Sequence, residues 1–274
     1  MAVTSEAPTA GAQNPGTRAT SADWSADLYL RFADERTRPS RDLLAAVPLA
    51  DADRVVDLGC GPGNSTELLV ARFPDAAVSG LDSSPAMVEA ARRRLPDLTF
   101  FRADVAEWTP EPDTNLLFAN AMFQWVPDRE AVLARLVAAL PEGGVLAVQM
   151  PDNLFEPSHV AMDAVARGGS WASRLGAAQK GALLSPEGYY DLLKPLCRRV
   201  DIWRTTYEHV MDGPAAIAEW FTATGLRPFL SRLEKAEQEE FIARYVEELA
   251  KGYPPRADGK VLLHFPRLFF VATR

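Results

Sequence analysis

The sequence predicts an α/β fold, a mostly parallel sheet with helices against its faces. Three observations predict it. Short apolar runs alternate with helix-length amphipathic segments between residues 54 and 151. Three successive runs lead into an acid, Asp57, Asp82 and Asp104. The first run also passes into a turn with glycine at alternate positions, Gly59, Gly61 and Gly63. Sheets of this kind bind ligands at the carboxyl ends of their strands, so acids and glycines gathered there describe a binding edge.

Residues 1–22, rich in Ala, Thr, Ser, Gly and Pro, carry no apolar signal-peptide core and are read as a disordered tail. Trp24, Leu28 and Phe32 recur at helical spacing, which predicts a helix ending before Pro39 and a further helical stretch over 40–47. Strand one is Arg54 to Leu58. Glycine reaches backbone angles closed to other residues and admits a ligand against the main chain; beyond the glycines, Asn64 or Ser65 caps a helix to about Phe73. Strand two, Ala77 to Leu81, ends in Asp82, 19 positions after Gly63 and placed to accept from ribose hydroxyls.

Ser83-Ser84-Pro85 opens the next helix, and strand three, Leu98 to Arg102, leads to Asp104, a ligand acid or a helix cap. Strand four, Asn115 to Ala119, runs into Asn120 and the stretch to Val126. Pro127-Asp128 caps a helix to Leu140, and strand five is Val145 to Met150. Residues 23–151 thus form a ligand-binding core with N-terminal helices, and 152–184 a lid insertion, because a structureless loop of that length is unusual in a compact domain. Residues 185–212 return to the core, with a helix from Ser185 to Leu196 and strand six from Val200 to Met211. Apolar spacing through Trp220, Phe221, Phe229, Leu233, Phe241, Tyr245 and Leu249 makes 213–258 a helical lid. Residues 259–274 supply strand seven, Val261 to Thr273, antiparallel to strand six.

A net charge of −8 opposes a nucleic-acid partner. The imbalance lies in residues 1–150, with 13 Lys and Arg against 21 Asp and Glu; residues 151–274 hold 16 of each, a relatively basic half suited to an anionic substrate. No apolar run approaches the roughly 20 residues that span a bilayer. The two cysteines, Cys60 and Cys197, give neither a disulfide framework nor metal-ligand spacing, so a reducing, cytoplasmic setting is expected. The histidines, His159, His209 and His264, stand far apart in sequence without cysteine partners, so no metal site is expected.

Asp57-Leu58-Gly59-Cys60-Gly61-Pro62-Gly63 resembles motif I of class I S-adenosylmethionine-dependent methyltransferases. Asp82-x-x-Pro85-x-Met87-x-x-x-Ala91 and Pro141-Glu142-Gly143-Gly144 are similar to further patterns of that superfamily. The resemblance implies a Rossmann-like, seven-stranded, mostly parallel sheet with strand seven antiparallel. It implies S-adenosyl-L-methionine as cofactor, with S-adenosyl-L-homocysteine as product. The implied cofactor-binding residues are Asp57, Gly59, Gly61, Asn64, Asp82, Ser83, Met87, Asp104, Val105, Asn120, Gln124 and Trp125. In that family the residue at Met87 packs on the adenine, the acid at Asp104 accepts from its amino group, the next amide meets a ring nitrogen, and the segment after strand four lines the transfer site. Read from the residues alone, Met87, Gln124 and Trp125 are equally packing groups.

Asp34-Glu35-Arg36-Thr37-Arg38-Pro39, Glu219-Trp220-Phe221, Gly225-Leu226-Arg227-Pro228-Phe229, Tyr253 to Gly259 and Phe265-Pro266-Arg267-Leu268-Phe269 together resemble the trans-aconitate 2-methyltransferase family, over roughly residues 23–273. That implies a small polycarboxylate as methyl acceptor and a monomethyl ester as product. A tricarboxylate calls for cations, and guanidinium forks hold carboxylates bidentately. The candidates are Tyr29, Arg36, Arg38, Arg174, Lys180, Arg227, Arg256, His264 and Arg267, some of them expected to be surface groups; His264 is equally a strand histidine satisfied by a neighbour. A carboxylate is ionised at neutral pH, so no catalytic base is expected. A monomer or weak homodimer is the expected assembly.

Three rival readings stand beside this one. Methylation of another carboxylic acid or of a malonyl thioester on a carrier protein would call for a basic docking patch. A nicotinamide-dependent oxidoreductase is opposed by Asn64 at the third glycine position of a dinucleotide fingerprint. A non-catalytic S-adenosylmethionine-binding protein would be favoured by a broken glycine turn, and this one is intact.

Overall fold

The computed structural model describes residues 33–175, 181–222 and 224–274, with 33–36 described by their backbone alone. Its centre is a seven-stranded sheet of order β3-β2-β1-β4-β5-β7-β6. The strands are β1 (Arg54–Leu58), β2 (Ala77–Asp82), β3 (Thr99–Arg102), β4 (Leu116–Asn120), β5 (Val145–Pro151), β6 (Arg199–Met211) and β7 (Val261–Thr273). The pairs among β1 to β5 are parallel, and β7 is antiparallel to both β5 and β6. This is the expected α/β, Rossmann-like sheet with its seventh strand reversed.

Side-chain alternation sorts the core into two layers. On one face Val55, Phe118, Val145, Ala147, Phe269 and Val271 meet Leu43 and Leu44 of α1 (Ala33–Ala45), Leu69 of α2 (Asn64–Arg72) and Phe73 just beyond it. On the other, Val56, Leu117, Val148, Leu268 and Phe270 meet Val132, Leu133 and Leu136 of α4 (Arg129–Ala139) and Tyr189 and Leu193 of α7 (Pro186–Leu193). Helix α3 (Pro85–Arg94) closes the β2–β3 end through Val88 and Ala91 on Phe100.

A third cluster belongs to a helical layer. It gathers α5 (Pro157–Gly168), α6 (Ala172–Leu175), α8 (Pro214–Thr222), α9 (Arg227–Leu230) and α10 (Lys235–Gly252) around Met162, Trp171, Trp220, Phe221, Phe241 and Tyr245. The described parts of 152–184 and 213–258 therefore share one core although strand β6 separates them in sequence. Strand β7 supports it: residues 267–273 pair with β5, whereas 261–266 pair with β6 alone, and Val261, Leu263 and Phe265 of that overhang enter the helical core.

Two local expectations are corrected. Helix α1 does not stop before Pro39 but contains it. Proline removes one backbone hydrogen bond, yet its ring is buried here, and the helix is tied down by the Tyr207 hydroxyl donating to Asp42 Oδ2 at 2.6 Å. Helix α2 is capped by neither Asn64 nor Ser65; Gly63, at φ 90°, takes the cap position, which a side chain would strain. Ser185 does cap its helix, accepting from the Gly188 amide.

Candidate active site

A cavity of about 550 Å³ opens at the carboxyl edge of the parallel strands, a size typical of small-molecule sites. Gly59, Gly61, Asn64, Asp82, Ser83, Met87, Asp104, Val105, Asn120, Gln124 and Trp125 all line it. Arg227 and Arg267 line its other part, with His159, Trp220, Phe221 and Phe265 from the helical layer and the β7 overhang. Acids and glycines on one side face cations and aromatics on the other.

The glycine turn is shaped by contacts as well as by conformation. Gly59 sits at φ +65°, and a Cβ there would lie 2.1 Å from Met122 Cγ. Asp82 holds the turn from the neighbouring strand: its Oδ2 accepts the Gly61 amide at 3.0 Å and its Oδ1 the Ser84 amide at 2.8 Å. Asp104 Oδ1 accepts the Ala106 amide at 2.9 Å, bending the chain after β3 so that Val105 forms part of the wall. Past β4, Ala121 adopts φ 57°, a left-handed conformation that is strained for a residue with a Cβ. Its amide donates to the Gln149 carbonyl at 2.9 Å, and Gln124 Nε2 donates to its carbonyl at 2.5 Å. Buried Asn120 Oδ1 and Gln124 Oε1 have no hydrogen-bond partner among the described residues and face a ligand cavity.

Asp57 is placed behind the cavity rather than in its wall. It is fully buried, and its Oδ2 accepts from Ser65 Oγ at 2.7 Å and Thr66 Oγ1 at 2.6 Å, in the first turn of α2. A carboxylate there also meets the positive end of the helix. Burial nevertheless pushes its pKa up to about 7, against the lowering effect of the Thr66 and Ser65 hydroxyls. Beside it, burial and then the charges of Asp57 and Asp82 raise the pKa of the Cys60 thiol, which keeps it protonated and a poor nucleophile. His209 backs the aromatic wall, stacked at 4.9 Å on Trp220; burial and then Arg267 press its pKa down to about 4, so it is neutral at physiological pH.

The candidate cations separate sharply. Arg267 is only 5% exposed and lines the cavity, its guanidinium 4.7 Å from the Phe265 ring centroid and its Nη1 donating to Gln149 Oε1 at 3.0 Å. Arg227 lines the cavity from an exposed position. Arg38 lies over the Tyr207 ring at 5.1 Å and is not in the lining. Arg174 pairs with Glu237, His264 with Glu208, and Arg256 stands exposed; none of the three borders the cavity. Tyr29 and Lys180 lie outside the described residues, and Arg36 is described by its backbone alone.

Thr37, Ser40, Asn153 and His159 line the cavity without having been singled out for it from the sequence. Ser40 is 1% exposed, and its hydroxyl has no hydrogen-bond partner among the described residues. Asn153 lay within reach of sequence reasoning, since it follows β5 by two residues at the same sheet edge that drew attention to Asp82. Among the described residues no cluster of three or more His, Cys, Asp or Glu forms a metal site, and no helix is long and apolar enough to cross a membrane.

A methyltransferase-domain family model matches residues 55–144. Over 255 residues, 92% of this chain and all of the relative, the sequence is 56% identical to a trans-aconitate 2-methyltransferase of Rhodopseudomonas palustris strain HaA2. It is 58% identical over the same length to that of Methylobacterium nodulans, covering 92% of this chain and 99% of the relative. The chain belongs to the trans-aconitate 2-methyltransferase family. The fold is also similar to solved structures: Haemonchus contortus phosphoethanolamine N-methyltransferase 2 (TM-score 0.53, 17% identity, 86% of this chain and 52% of that one) and the YcgJ protein of Bacillus subtilis (TM-score 0.56, 13% identity, 86% and 98%). Family membership sets the oxidoreductase reading aside: the chain is an S-adenosyl-L-methionine-dependent methyltransferase.

Proposed function

We propose that this chain transfers a methyl group from S-adenosyl-L-methionine to one carboxylate of trans-aconitate, releasing the monomethyl ester and S-adenosyl-L-homocysteine. The observation that carries the reading is the buried Arg267 in the same cavity as the Gly59–Gly61 turn and Asp82, in a chain 56% identical to trans-aconitate 2-methyltransferases.

The residues fit the cofactor. The turn leaves backbone open where Gly59 and Gly61 line the cavity, and Asp82, Ser83, Asp104 and Asn120 offer polar groups along the strand ends. Met87 and Val105 supply apolar surface for a purine, with Asn64, Gln124 and Trp125 completing that side. When bound, S-adenosyl-L-methionine supplies an electrophilic methyl on a positive sulfur. An acceptor carboxylate held beside it would take the methyl on oxygen to give the ester, with S-adenosyl-L-homocysteine as the leaving group, and would give up no proton. Arg267, with Arg227 at the rim, holds the carboxylates as anions, and an acceptor that is already ionised calls for no general base. Catalysis is then positioning, worth roughly 7–11 kcal/mol in well-oriented systems. Trp220, Phe221 and Phe265 exclude water from the acceptor side, a role consistent with reading the helical layer as a lid.

The two buried free thiols suit a reducing cytoplasm. The test is transfer of labelled methyl to trans-aconitate, cis-aconitate, citrate, isocitrate and a malonyl thioester. Selective monoester formation on trans-aconitate is expected; transfer to the thioester instead, or to none, would overturn the acceptor.

A further inference from the structure

Gln149 is a fully buried amide in the middle of β5, flanked along the strand by Val148 and Met150. Burying such a group is unfavourable unless its hydrogen bonds are made, and here only half are. Oε1 accepts from Arg267 Nη1 at 3.0 Å, while Nε2 has no hydrogen-bond partner among the described residues. The amide orientation follows from chemistry, because a guanidinium only donates and so faces the oxygen. Sheet register explains the meeting: Phe269 is opposite Gln149 and Arg267 opposite Pro151, so Gln149 and Arg267 are diagonal neighbours on the same face. Gln149 itself is outside the cavity lining, whereas Arg267 is in it.

We propose that Gln149 is a positioning residue for the acceptor: it fixes the rotation of the Arg267 guanidinium, with Phe265 stacked against it, so that the fork meets a substrate carboxylate in one orientation. The proposal rests on the reading of Arg267 as an acceptor-binding cation. A guanidinium held in plane loses little freedom on binding, and bidentate recognition depends on that plane. A methionine at 149 would fill similar space but would take from Arg267 Nη1 the acceptor it has here, so the glutamine serves to hold that buried guanidinium.

The experiment compares Gln149→Met, Gln149→Glu and Arg267→Lys in the full chain, with steady-state kinetics on trans-aconitate, calorimetric titration of S-adenosyl-L-methionine and thermal melting. Loss of a hydrogen bond to a charged group corresponds to roughly tenfold or more. Gln149→Met is expected to raise KM for trans-aconitate by about that factor, with cofactor affinity close to wild type and a melting temperature lowered by loss of the bond to Arg267. Gln149→Glu keeps the acceptor but offers Arg267 a rival carboxylate, so its KM exceeds that of Gln149→Met and rises further with pH as the glutamate ionises. If Arg267→Lys leaves KM unchanged, the reading of Arg267 fails. If Arg267→Lys raises KM but Gln149→Met does not, the positioning role alone is overturned. A Gln149→Met variant that loses cofactor affinity and melting temperature together, with Gln149→Glu showing no pH-dependent KM, assigns Gln149 to the core and overturns the proposal as well.

Discussion

Thr66→Val removes one hydroxyl from a fully buried site while keeping its shape. Thr66 is 0% exposed, and its Oγ1 lies 2.6 Å from an Asp57 oxygen that is shared only with Ser65 among the described partners. Above the Asp57 pKa of about 7 the lost bond is to a carboxylate, a loss of about 1.5–3 kcal/mol, whereas a neutral bond is worth about 0.5–1.5 kcal/mol. Asp57 binds its proton more tightly folded than unfolded, so the wild type loses stability as pH rises from about 4 to about 7. Because the Thr66 bond lowers that pKa, Thr66→Val extends the loss to higher pH. Thermal melts at pH 5.5 and 8.5 should show a deficit of about 1 kcal/mol at the lower pH and about 2 kcal/mol at the higher, the latter roughly 4–8 °C for a domain of this size. A deficit equal at both pH values would mean that Asp57 is not titrating in the folded state. The reasoning would then fail at its electrostatic step.

Gly59→Ala forces a Cβ into 2.1 Å contact with Met122 Cγ at φ +65°. The backbone part is about 1–2 kcal/mol, and pairing it with Met122→Ala should recover only the contact part of any lost S-adenosyl-L-methionine affinity in titration calorimetry. Asp82→Ala frees the Gly61 and Ser84 amides together and should weaken cofactor binding roughly ten- to hundredfold while circular dichroism stays native; unchanged binding would take Asp82 out of the site. Arg38→Ala removes a cation from above Tyr207, outside the cavity lining, and should leave KM for trans-aconitate within about twofold; a rise matching that of Arg267→Lys would bring Arg38 into the site.

Strands β1 and β7 have the bounds read from the sequence, Arg54–Leu58 and Val261–Thr273, because apolar patterning is dense there and strong turn residues flank it. That the residues after successive strands gather at one cavity was legible for a related reason: all but Asp57 of those singled out there line it, and they lie on a strand or in the turn or first helical turn that follows it. The placement of the candidate cations was not. Arg174 and His264 look like Arg227 and Arg267 in one dimension, and what separates them is where the fold puts them: Arg174 is held by Glu237, 63 residues away, and His264 by Glu208, 56 away, whereas Arg227 and Arg267 line the cavity. Ser40 was hidden by its own element, since a proline at 39 argues for a helix end, and only tertiary burial of that ring carries the helix on and turns the next residue into the cavity wall.

The reversal of β7 is what allows one edge to hold both halves of the site. Parallel strands bring their last residues to the cavity, as β2 does with Asp82 and β4 with Asn120. An antiparallel strand brings its earlier residues there, so Arg267 pairs with Pro151 at the end of β5, at the point where β7 runs past β5, still paired with β6, and carries Phe265 into the helical layer. The cation is therefore anchored by the sheet while its aromatic neighbour belongs to the layer above. Register makes this placement all-or-none: a one-residue slip of β7 against β5 would send Arg267 to the opposite face, away from Gln149, and would at the same time exchange the two hydrophobic sets of β7. Packing of Leu268 and Phe270 on one face and Phe269 and Val271 on the other thus specifies the position of the charge, and the energy that fixes Arg267 comes from the core rather than from the cavity.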